Sequence, residues 1–189
     1  MNIGLYFGSF NPIHTGHLII ANHIIENTEL DKIWFVVSPH NPLKPASTLL
    51  NEYHRLHLVE LAIKDNPKFR ASNIEFTLPR PSFTIDTLTY LQEKFPHERF
   101  SVIMGSDSYQ NLPRWKNYEQ LLQQYKIIVY QRPQYPVAGK LSEHTTVLEA
   151  PLIEISSTFI RQQIKSGKSI QYLVPAEVIE YVKENRYYL

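Results

Sequence analysis

Residues 8–17 of the sequence read Gly8-Ser9-Phe10-Asn11-Pro12-Ile13-His14-Thr15-Gly16-His17, and they separate an apolar run at 3–7 from another at 18–25. This order predicts a β-strand, a tight turn and the start of an α-helix. The first N–H groups of a helix lack intrahelical partners, and its N-terminus carries about half a positive charge, so phosphate oxygens are favoured there. The stretch therefore predicts an anion-binding turn.

Individual residues within this turn support the same interpretation. Gly8 allows a ligand to approach the backbone closely, and Pro12 fixes its own φ while disfavouring helical geometry in the residue before it. Thr15 is the predicted N-cap. With the cap at that position, His14 lies just before the helix and His17 lies in its first turn. Two imidazoles would then flank the exposed amides.

The composition limits the classes of protein to consider. The chain has 189 residues, a net charge of +1 and no cysteine. Its length predicts one domain over residues 1–189. The lack of cysteine excludes disulfides, thiolate metal sites and thiol nucleophiles, and it fits a reducing compartment. Dispersed charges predict no nucleic-acid partner, and the short apolar runs and directly entered first strand predict a cytoplasmic protein without membrane contact.

Strand-like and helix-like segments alternate along the chain. The predicted strands cover 2–7, 32–37, 69–76, 100–104 and 126–130, and the predicted helices cover 15–28, 51–64, 84–94 and 118–124. Helices between buried strands imply parallel pairing and right-handed crossovers. We therefore predict an α/β fold, a Rossmann-like doubly wound parallel sheet, with short C-terminal helices over 156–165 and 175–185. The proline-rich segments 38–47 and 132–139 are predicted surface loops.

Polar segments follow four of the predicted strands. They are residues 8–17, 39–44, 105–107 and 131–133. Ligands of open parallel sheets bind beyond the carboxyl ends of the strands. A second helix start adds to this edge, because Ser156 can cap it, and Ser157 and Thr158 lie on one helix face with Arg161. Two helix starts, an arginine and a lysine would then surround a polyphosphate.

These residues resemble the nucleotidyltransferase superfamily that carries the His-x-Gly-His signature, here His14-Thr15-Gly16-His17 with Ser156-Ser157-Thr158-x-x-Arg161. Within it, nearly the whole chain resembles the bacterial nicotinate-nucleotide adenylyltransferases, so the single domain over 1–189 is expected to be a nucleotidyltransferase domain. The supporting segments are 39–44 with His54-Arg55, 81–88, 105–107 with Leu112 and Trp115, and 172–175. Several ordered segments at compatible spacing are more specific than the short signature alone.

The resemblance implies transfer of AMP from ATP to the 5′-phosphate of nicotinate mononucleotide, forming deamido-NAD and pyrophosphate in NAD biosynthesis. Since the mononucleotide phosphate is already a nucleophile, the enzyme mainly aligns it and stabilises the departing pyrophosphate. The implied partners are ATP and the pyridine mononucleotide. Mg²⁺ is expected to bind mainly through ATP phosphates and water, with no metal site made by the protein. The oligomeric state stays open, with a homo-oligomer as one alternative, because the sequence does not give it.

The resemblance also assigns site residues. His17, and next His14, would donate to the α- and β-phosphates, and Arg161 would hold the β- and γ-phosphates; these three are the expected catalytic residues. The remaining expected ATP contacts are Gly8, Ser9, Phe10, Gly105, Asp107, Arg132, Ser156, Ser157 and Thr158, with Gly105 and Asp107 on the ribose. The expected mononucleotide contacts are Lys44 on the phosphate and Thr84, Ile85 and Trp115 around the pyridine, with the indole stacking on the ring.

Several alternatives stay open at this point. The chain has Asn11 where the family usually has Asp, and its Gly-Ser-Phe-Asn-Pro form also occurs in relatives that prefer nicotinamide mononucleotide, whereas the 81–88 segment favours the acid. Phe7-Gly8 replaces the usual paired glycine, and Leu43 replaces the usual histidine. Other functions are a phosphopantetheine or cytidylyl transferase of the same superfamily, or a nucleotide-binding regulator. The 81–88 and Trp115 segments argue against the former, and the intact histidines and arginine against the latter.

Overall fold

The computed structural model describes residues 1–39, 49–151 and 154–189, and its strands form one parallel sheet. The strands are β1 (Asn2–Gly8), β2 (Lys32–Val37), β3 (Phe69–Ser72), β4 (Arg99–Gly105), β5 (Lys126–Tyr130) and β6 (Thr145–Leu148). The helices are α1 (Thr15–Glu26), α2 (Glu52–Ile63), α3 (Thr84–Lys94), α4 (Ser106–Gln110), α5 (Tyr118–Gln124), α6 (Ser157–Lys165) and α7 (Ala176–Glu184). Short 3₁₀ turns cover Ile74–Thr77 and Leu112–Arg114.

The strand order is β3-β2-β1-β4-β5-β6, and each neighbouring pair is parallel. The order reverses between β1 and β4, so the crevice beyond the carboxyl ends of these two strands is where a ligand is expected. The predicted doubly wound α/β fold is confirmed. The same reversal places the turn after β1 and the start of α4 after β4 at one edge of the sheet.

Alternating strand residues supply two cores, one on each face of the sheet. In β2, Phe35 packs on the face covered by α1, α2, α6 and α7, whereas Trp34 and Val36 pack on the face covered by α3, α4 and α5. Because both faces are covered, the strands are continuous apolar runs. No helix of the described ranges combines the length and apolar character needed to cross a membrane.

One predicted strand is much longer than the strand in the structure, and one observed strand has no predicted counterpart. The predicted strand 69–76 ends at Ser72, because the chain turns at Ile74–Thr77 to bury the Glu75 side chain, whose carboxylate accepts a hydrogen bond from Thr87 Oγ1 at 3.0 Å. Strand β6 is absent from the predictions. It is short, half of it is threonine and it pairs on one side only, with β5, so it lacks the apolar run of a central strand.

Candidate active site

A cavity of about 940 Å³ lies beyond the carboxyl ends of β1 and β5, between the first turns of α1 and α6. Its volume lies within the range of small-molecule sites. The predicted ATP residues that line it are Ser9, His14, His17, Arg132, Ser156, Ser157, Thr158 and Arg161. Residues far apart in sequence thus meet in one cavity, as the sequence predicts.

The two signature histidines form a stacked pair at the start of α1. Their ring centroids are 3.7 Å apart, and the His14 N–H donates to Nδ1 of His17 at 3.2 Å. This bond favours the His17 tautomer that carries its proton on Nε2, which is then a hydrogen-bond donor at the cavity wall. The arrangement suits a phosphate oxygen bound against α1.

The predicted N-cap at Thr15 is wrong, because the cap of α1 is His14. Thr15 is the first helical residue, and it ties α1 to the segment before α7. Its N–H donates to the Leu173 carbonyl at 2.9 Å and its hydroxyl to the Tyr172 carbonyl at 3.2 Å. The threonine hydroxyl therefore has a tertiary partner, and the cap moves one residue towards the turn.

His14 is 6% exposed, and burial, together with the nearby Arg132 cation, lowers its pKa to about 4. At neutral pH its imidazole is therefore uncharged. A neutral imidazole still donates one hydrogen bond, so His14 can bind a phosphate oxygen without contributing a charge. The positive charge at this site comes from arginine and from the helix N-termini.

The lowered pKa of His14 predicts a pH-dependent loss of stability. Above pH 6.5, the pKa of this imidazole in the unfolded chain, His14 is uncharged in both states and does not lower the free energy of unfolding. As pH falls towards 4, the unfolded chain takes up a proton that the folded chain excludes. The free energy of unfolding then falls by about 3 kcal/mol. Urea unfolding of the wild type and His14→Gln at pH 7, 5.5 and 4 tests this. The variant should lose less stability than the wild type over this range, and parallel curves would contradict the assignment.

Carbonyl groups of the turn after β1 are held by donors from other elements. The Gly8 carbonyl accepts the Ser38 N–H at 2.9 Å, and the Ser9 carbonyl accepts a hydrogen bond from Arg55 Nη1. The Asn11 carbonyl accepts from Arg161 Nη1 at 2.8 Å, and the Pro12 carbonyl accepts from the Ser157 hydroxyl at 2.9 Å. Occupied carbonyl oxygens present less negative potential to an incoming phosphate. The turn therefore favours anions in two ways: its amide N–H groups attract them, and the hydrogen bonds to its carbonyl oxygens reduce the negative potential that would repel them.

Gly8 and Phe10 shape the turn from behind, since neither lines the cavity. A Cβ at Gly8 would lie 2.8 Å from the Phe10 ring, so the glycine is needed to pack that ring rather than to admit a ligand. Phe10 is 2% exposed, has a φ of 44° and packs edge-on against His17 with ring centroids 5.1 Å apart. The buried ring therefore fixes one side of the His17 imidazole.

The second half of the cavity is the start of α6. Ser156 is its N-cap and accepts the Phe159 N–H at 3.2 Å, as predicted. Arg161 donates to the Asn11 carbonyl and, at 3.3 Å, to the Thr158 hydroxyl. A guanidinium has five N–H donors, so Arg161 can hold the turn and bind phosphate together. It joins the two helix starts.

Asp107 and Gly105 do not line the cavity, but Asp107 forms an ion pair at 3.3 Å with Arg132, which does. The Arg132 N–H donates to the Ser106 hydroxyl at 2.8 Å, which fixes the segment after β5 against the start of α4. A Cβ at Gly105 would clash with an Asp107 oxygen and crowd Arg132, so a larger residue there would displace both side chains. The structure thus brings Arg132 beside the two residues assigned to the ribose, Gly105 and Asp107.

Sequence reasoning missed two tyrosines that line the cavity. The Tyr6 hydroxyl donates to the Tyr130 hydroxyl at 3.4 Å, and Arg132 donates to the same Tyr130 oxygen at 3.2 Å. Burial raises the pKa of Tyr6 well above its usual value, so it stays protonated. Both tyrosines are hidden inside apolar runs. Their places near the carboxyl ends of β1 and β5 are the signal that could have identified them.

Three of the predicted mononucleotide residues, Thr84, Ile85 and Trp115, lie outside the cavity lining. An ion pair between Lys116 and Asp86 at 2.8 Å joins the residue after Trp115 to the first turn of α3, and Trp115 packs against the core cluster that contains Ile85. The Ile85 side chain is 3% exposed and packs in the core, so what it can offer a ligand is its backbone N–H. The backbone N–H of Trp115 donates to the Leu112 carbonyl, so the part of Trp115 that a ligand can contact is its half-buried indole. Lys44 lies outside the described residues.

The comparisons agree with this geometry. A family model described as cytidylyltransferase-like matches residues 5–163. The chain is 53% identical over 191 residues to the nicotinate-nucleotide adenylyltransferase of Flavobacterium psychrophilum, covering all of this chain and 99% of the relative. It is 44% identical over 185 residues to that of Bacteroides thetaiotaomicron, covering 97% of this chain and 92% of the relative.

A solved structure shares the fold. The nicotinic acid mononucleotide adenylyltransferase of Plasmodium falciparum, complexed with NaAD, superposes with a TM-score of 0.84 at 21% identity. The match covers 99% of this chain and 97% of the other. By family model and by full-length relatives, the chain belongs to the cytidylyltransferase-like family and, within it, to the nicotinate-nucleotide adenylyltransferases.

Proposed function

We propose that the protein transfers AMP from ATP to the 5′-phosphate of nicotinate mononucleotide, forming deamido-NAD and pyrophosphate in NAD biosynthesis. The observation that carries this is the convergence of two helix N-termini, a histidine pair and Arg161 on one cavity of about 940 Å³. Full-length relatives bear the name of this activity. Two structural neighbours from Plasmodium falciparum are complexed with NaAD and with APC.

The chemistry needs alignment and charge stabilisation rather than a protein nucleophile. An oxygen of the mononucleotide phosphate forms a bond to the α-phosphorus, and the bond from that phosphorus to the bridging oxygen breaks, leaving its electron pair on pyrophosphate. Negative charge grows on the bridging oxygen and its neighbours. His17 and His14 donate to α- and β-phosphate oxygens, and Arg161 holds the β- and γ-phosphates beside the Ser156–Thr158 amides.

The remaining assignments divide the nucleotides between the two ends of the sheet edge. Gly105 and Asp107 take the ATP ribose beside Arg132. On the mononucleotide side, Trp115 stacks on the pyridine, and the α3 amides at Thr84 and Ile85 meet the carboxylate, while Lys44 binds the phosphate. A helix N-terminus favours an acid over an amide, because the acid carries the charge.

The alternative of an amide acceptor rests on Asn11, a residue of the cavity lining. Its side chain is 7% exposed, and Oδ1 accepts the Leu50 N–H at 3.1 Å. An aspartate carboxylate can accept the same hydrogen bond, so the exchange of Asp for Asn preserves this contact. Nicotinate mononucleotide is therefore the acceptor we propose.

We propose that Mg²⁺ enters with ATP, held by phosphate oxygens and water. Mg²⁺ dehydrates reluctantly and commonly binds through substrate phosphates. Within the described ranges there is no group of three or more His, Asp or Glu side chains arranged to hold a metal ion. The ion supplies charge neutralisation on the phosphates, while the protein supplies the donors already named.

A pyrophosphate-release assay with ATP tests this function. Nicotinate mononucleotide, nicotinamide mononucleotide and phosphopantetheine are offered in parallel, each with Mg²⁺ and with EDTA. We expect the nicotinate substrate to have the highest kcat/KM, by about tenfold or more, because one charge-assisted hydrogen bond is worth more than a kilocalorie. Equal or better turnover of the amide would overturn the acceptor, and no turnover of either pyridine nucleotide would overturn the function.

A further inference from the structure

We propose that Arg55 is a positioning residue for the anion-binding turn, holding the Ser9–Phe10 peptide so that His17 and the turn amides face the polyphosphate. This inference deepens the proposed function and rests on it. Arg55 lies on α2, outside the cavity lining, and the mechanism above assigns it no role. It acts through the backbone of Ser9 and the ring of Phe10.

The Arg55 side chain is fully buried, with an exposed fraction of 0%. Its guanidinium donates to four backbone carbonyls: Ser9 through Nη1, Leu50 through Nε at 2.7 Å, Ser38 through Nη1 at 2.8 Å and Pro39 through Nη2 at 2.8 Å. In the described part of the chain, no carboxylate lies within ion-pair distance of it. Burial lowers its pKa to about 10, so it stays charged at neutral pH.

Burying a cation without an ion pair costs free energy, because the charge loses its hydration. Apolar side chains of similar size often replace buried charges without loss of stability, so core filling alone does not account for an arginine here. What only a planar guanidinium supplies is several fixed donors at once. The carbonyls that it binds come from the turn after β1, from the two residues that follow β2 and from Leu50, two residues before α2.

The route from Arg55 to the reacting groups is short. In a trans peptide the carbonyl and the following N–H point in opposite directions, so holding the Ser9 carbonyl towards Arg55 turns the Phe10 N–H away from it. Phe10 has a φ of 44°, a conformation that a bulky residue keeps only when its surroundings impose it. Its ring then packs against His17 with centroids 5.1 Å apart.

Asn11 strengthens the same unit. Its Oδ1 accepts the Leu50 N–H while Arg55 binds the Leu50 carbonyl, so both polar groups of Leu50 are tied to one assembly. On the opposite side, Arg161 binds the Asn11 carbonyl. The turn is thus held between a buried arginine behind it and a ligand-facing arginine in front of it.

The test compares Arg55→Met and Arg55→Lys with Leu58→Ala, a fully buried control on the same helix whose apolar side chain packs in the core and makes no hydrogen bond to the turn. Three quantities are measured: kcat and KM for both substrates, the thermal shift produced by a non-hydrolysable ATP analogue, and the His17 ring signals in NMR. We expect Arg55→Met to lose about tenfold or more in kcat/KM, to lose most of the analogue-induced shift and to move the His17 signals.

Leu58→Ala should lower the melting temperature while keeping kcat/KM within about twofold and the analogue shift unchanged. Arg55→Lys keeps the charge with one nitrogen, so it should fall between Met and wild type; it decides the matter if the Met variant does not fold. Wild-type values in both Arg55 variants would overturn the inference. Wild-type protein that turns over no pyridine nucleotide would instead overturn the function, and the analogue shift would still test Arg55.

Discussion

His17→Ala is expected to lower kcat by at least about a hundredfold, the usual loss when one donor to a transition state is removed. His17 is in the first turn of α1 and lines the cavity, and its Nδ1 accepts the His14 N–H, so Nε2 is the ring nitrogen that can act as a donor. Because charge on the phosphates grows during the reaction, the loss should fall on kcat and kcat/KM together, with a small change in KM. Steady-state pyrophosphate release measures both.

His23 offers a matched control on the same helix. It lies in the last turn of α1, away from the cavity lining, and it is half-buried. His23→Ala should keep turnover within about twofold, since surface substitutions away from such sites have small effects. Near-normal turnover of His17→Ala, or an equal loss in both variants, would contradict the role given to His17. His17→Gln, which keeps a donor, should recover part of the activity.

The fold follows from sequence where the hydrophobic pattern is strong. The bounds of β2, β5, α3 and α5 coincide with those predicted, because each is a clean apolar run or amphipathic segment with polar breaks at both ends. Prediction fails where tertiary partners decide. The 3₁₀ turn at Ile74–Thr77 places the buried Glu75 side chain against Thr87. Because Thr87 lies twelve residues further along the chain, the local pattern does not predict this contact.

The candidate site divides in the same way. The two helix starts are local patterns, so the signature at His14–His17 and the Ser156 cap could be predicted with their neighbours. The Tyr6–Tyr130 pair and the carbonyls around Arg55 join segments that only the folded chain brings together. The cap of α1 shows the limit of local rules, because Thr15 is a good cap by type, yet its hydroxyl is bound to the Tyr172 carbonyl.

Arg161→Ala is expected to cause a larger loss than His17→Ala, on the order of a thousandfold in kcat/KM, because a guanidinium supplies charge and paired donors to phosphate. The alanine variant also removes the hydrogen bond to the Asn11 carbonyl and so loosens the link between the turn and α6. Both the lost charge and the loosened link weaken the stabilisation of the departing pyrophosphate. The measurement is pyrophosphate release with ATP varied at saturating mononucleotide.

Two variants separate these effects on the same helix. Arg161→Lys keeps the charge but lacks the fork that reaches both the Asn11 carbonyl and a phosphate, so it should recover only part of the loss, about tenfold. Lys165→Ala removes an exposed cation one turn further along α6 and should stay within about twofold. If Lys165→Ala lost as much as Arg161→Ala, general attraction of anions would explain the arginine. If Arg161→Ala lost less than tenfold, the start of α6 would not be half of the ATP site, and the His14–His17 turn would have to bind the polyphosphate alone.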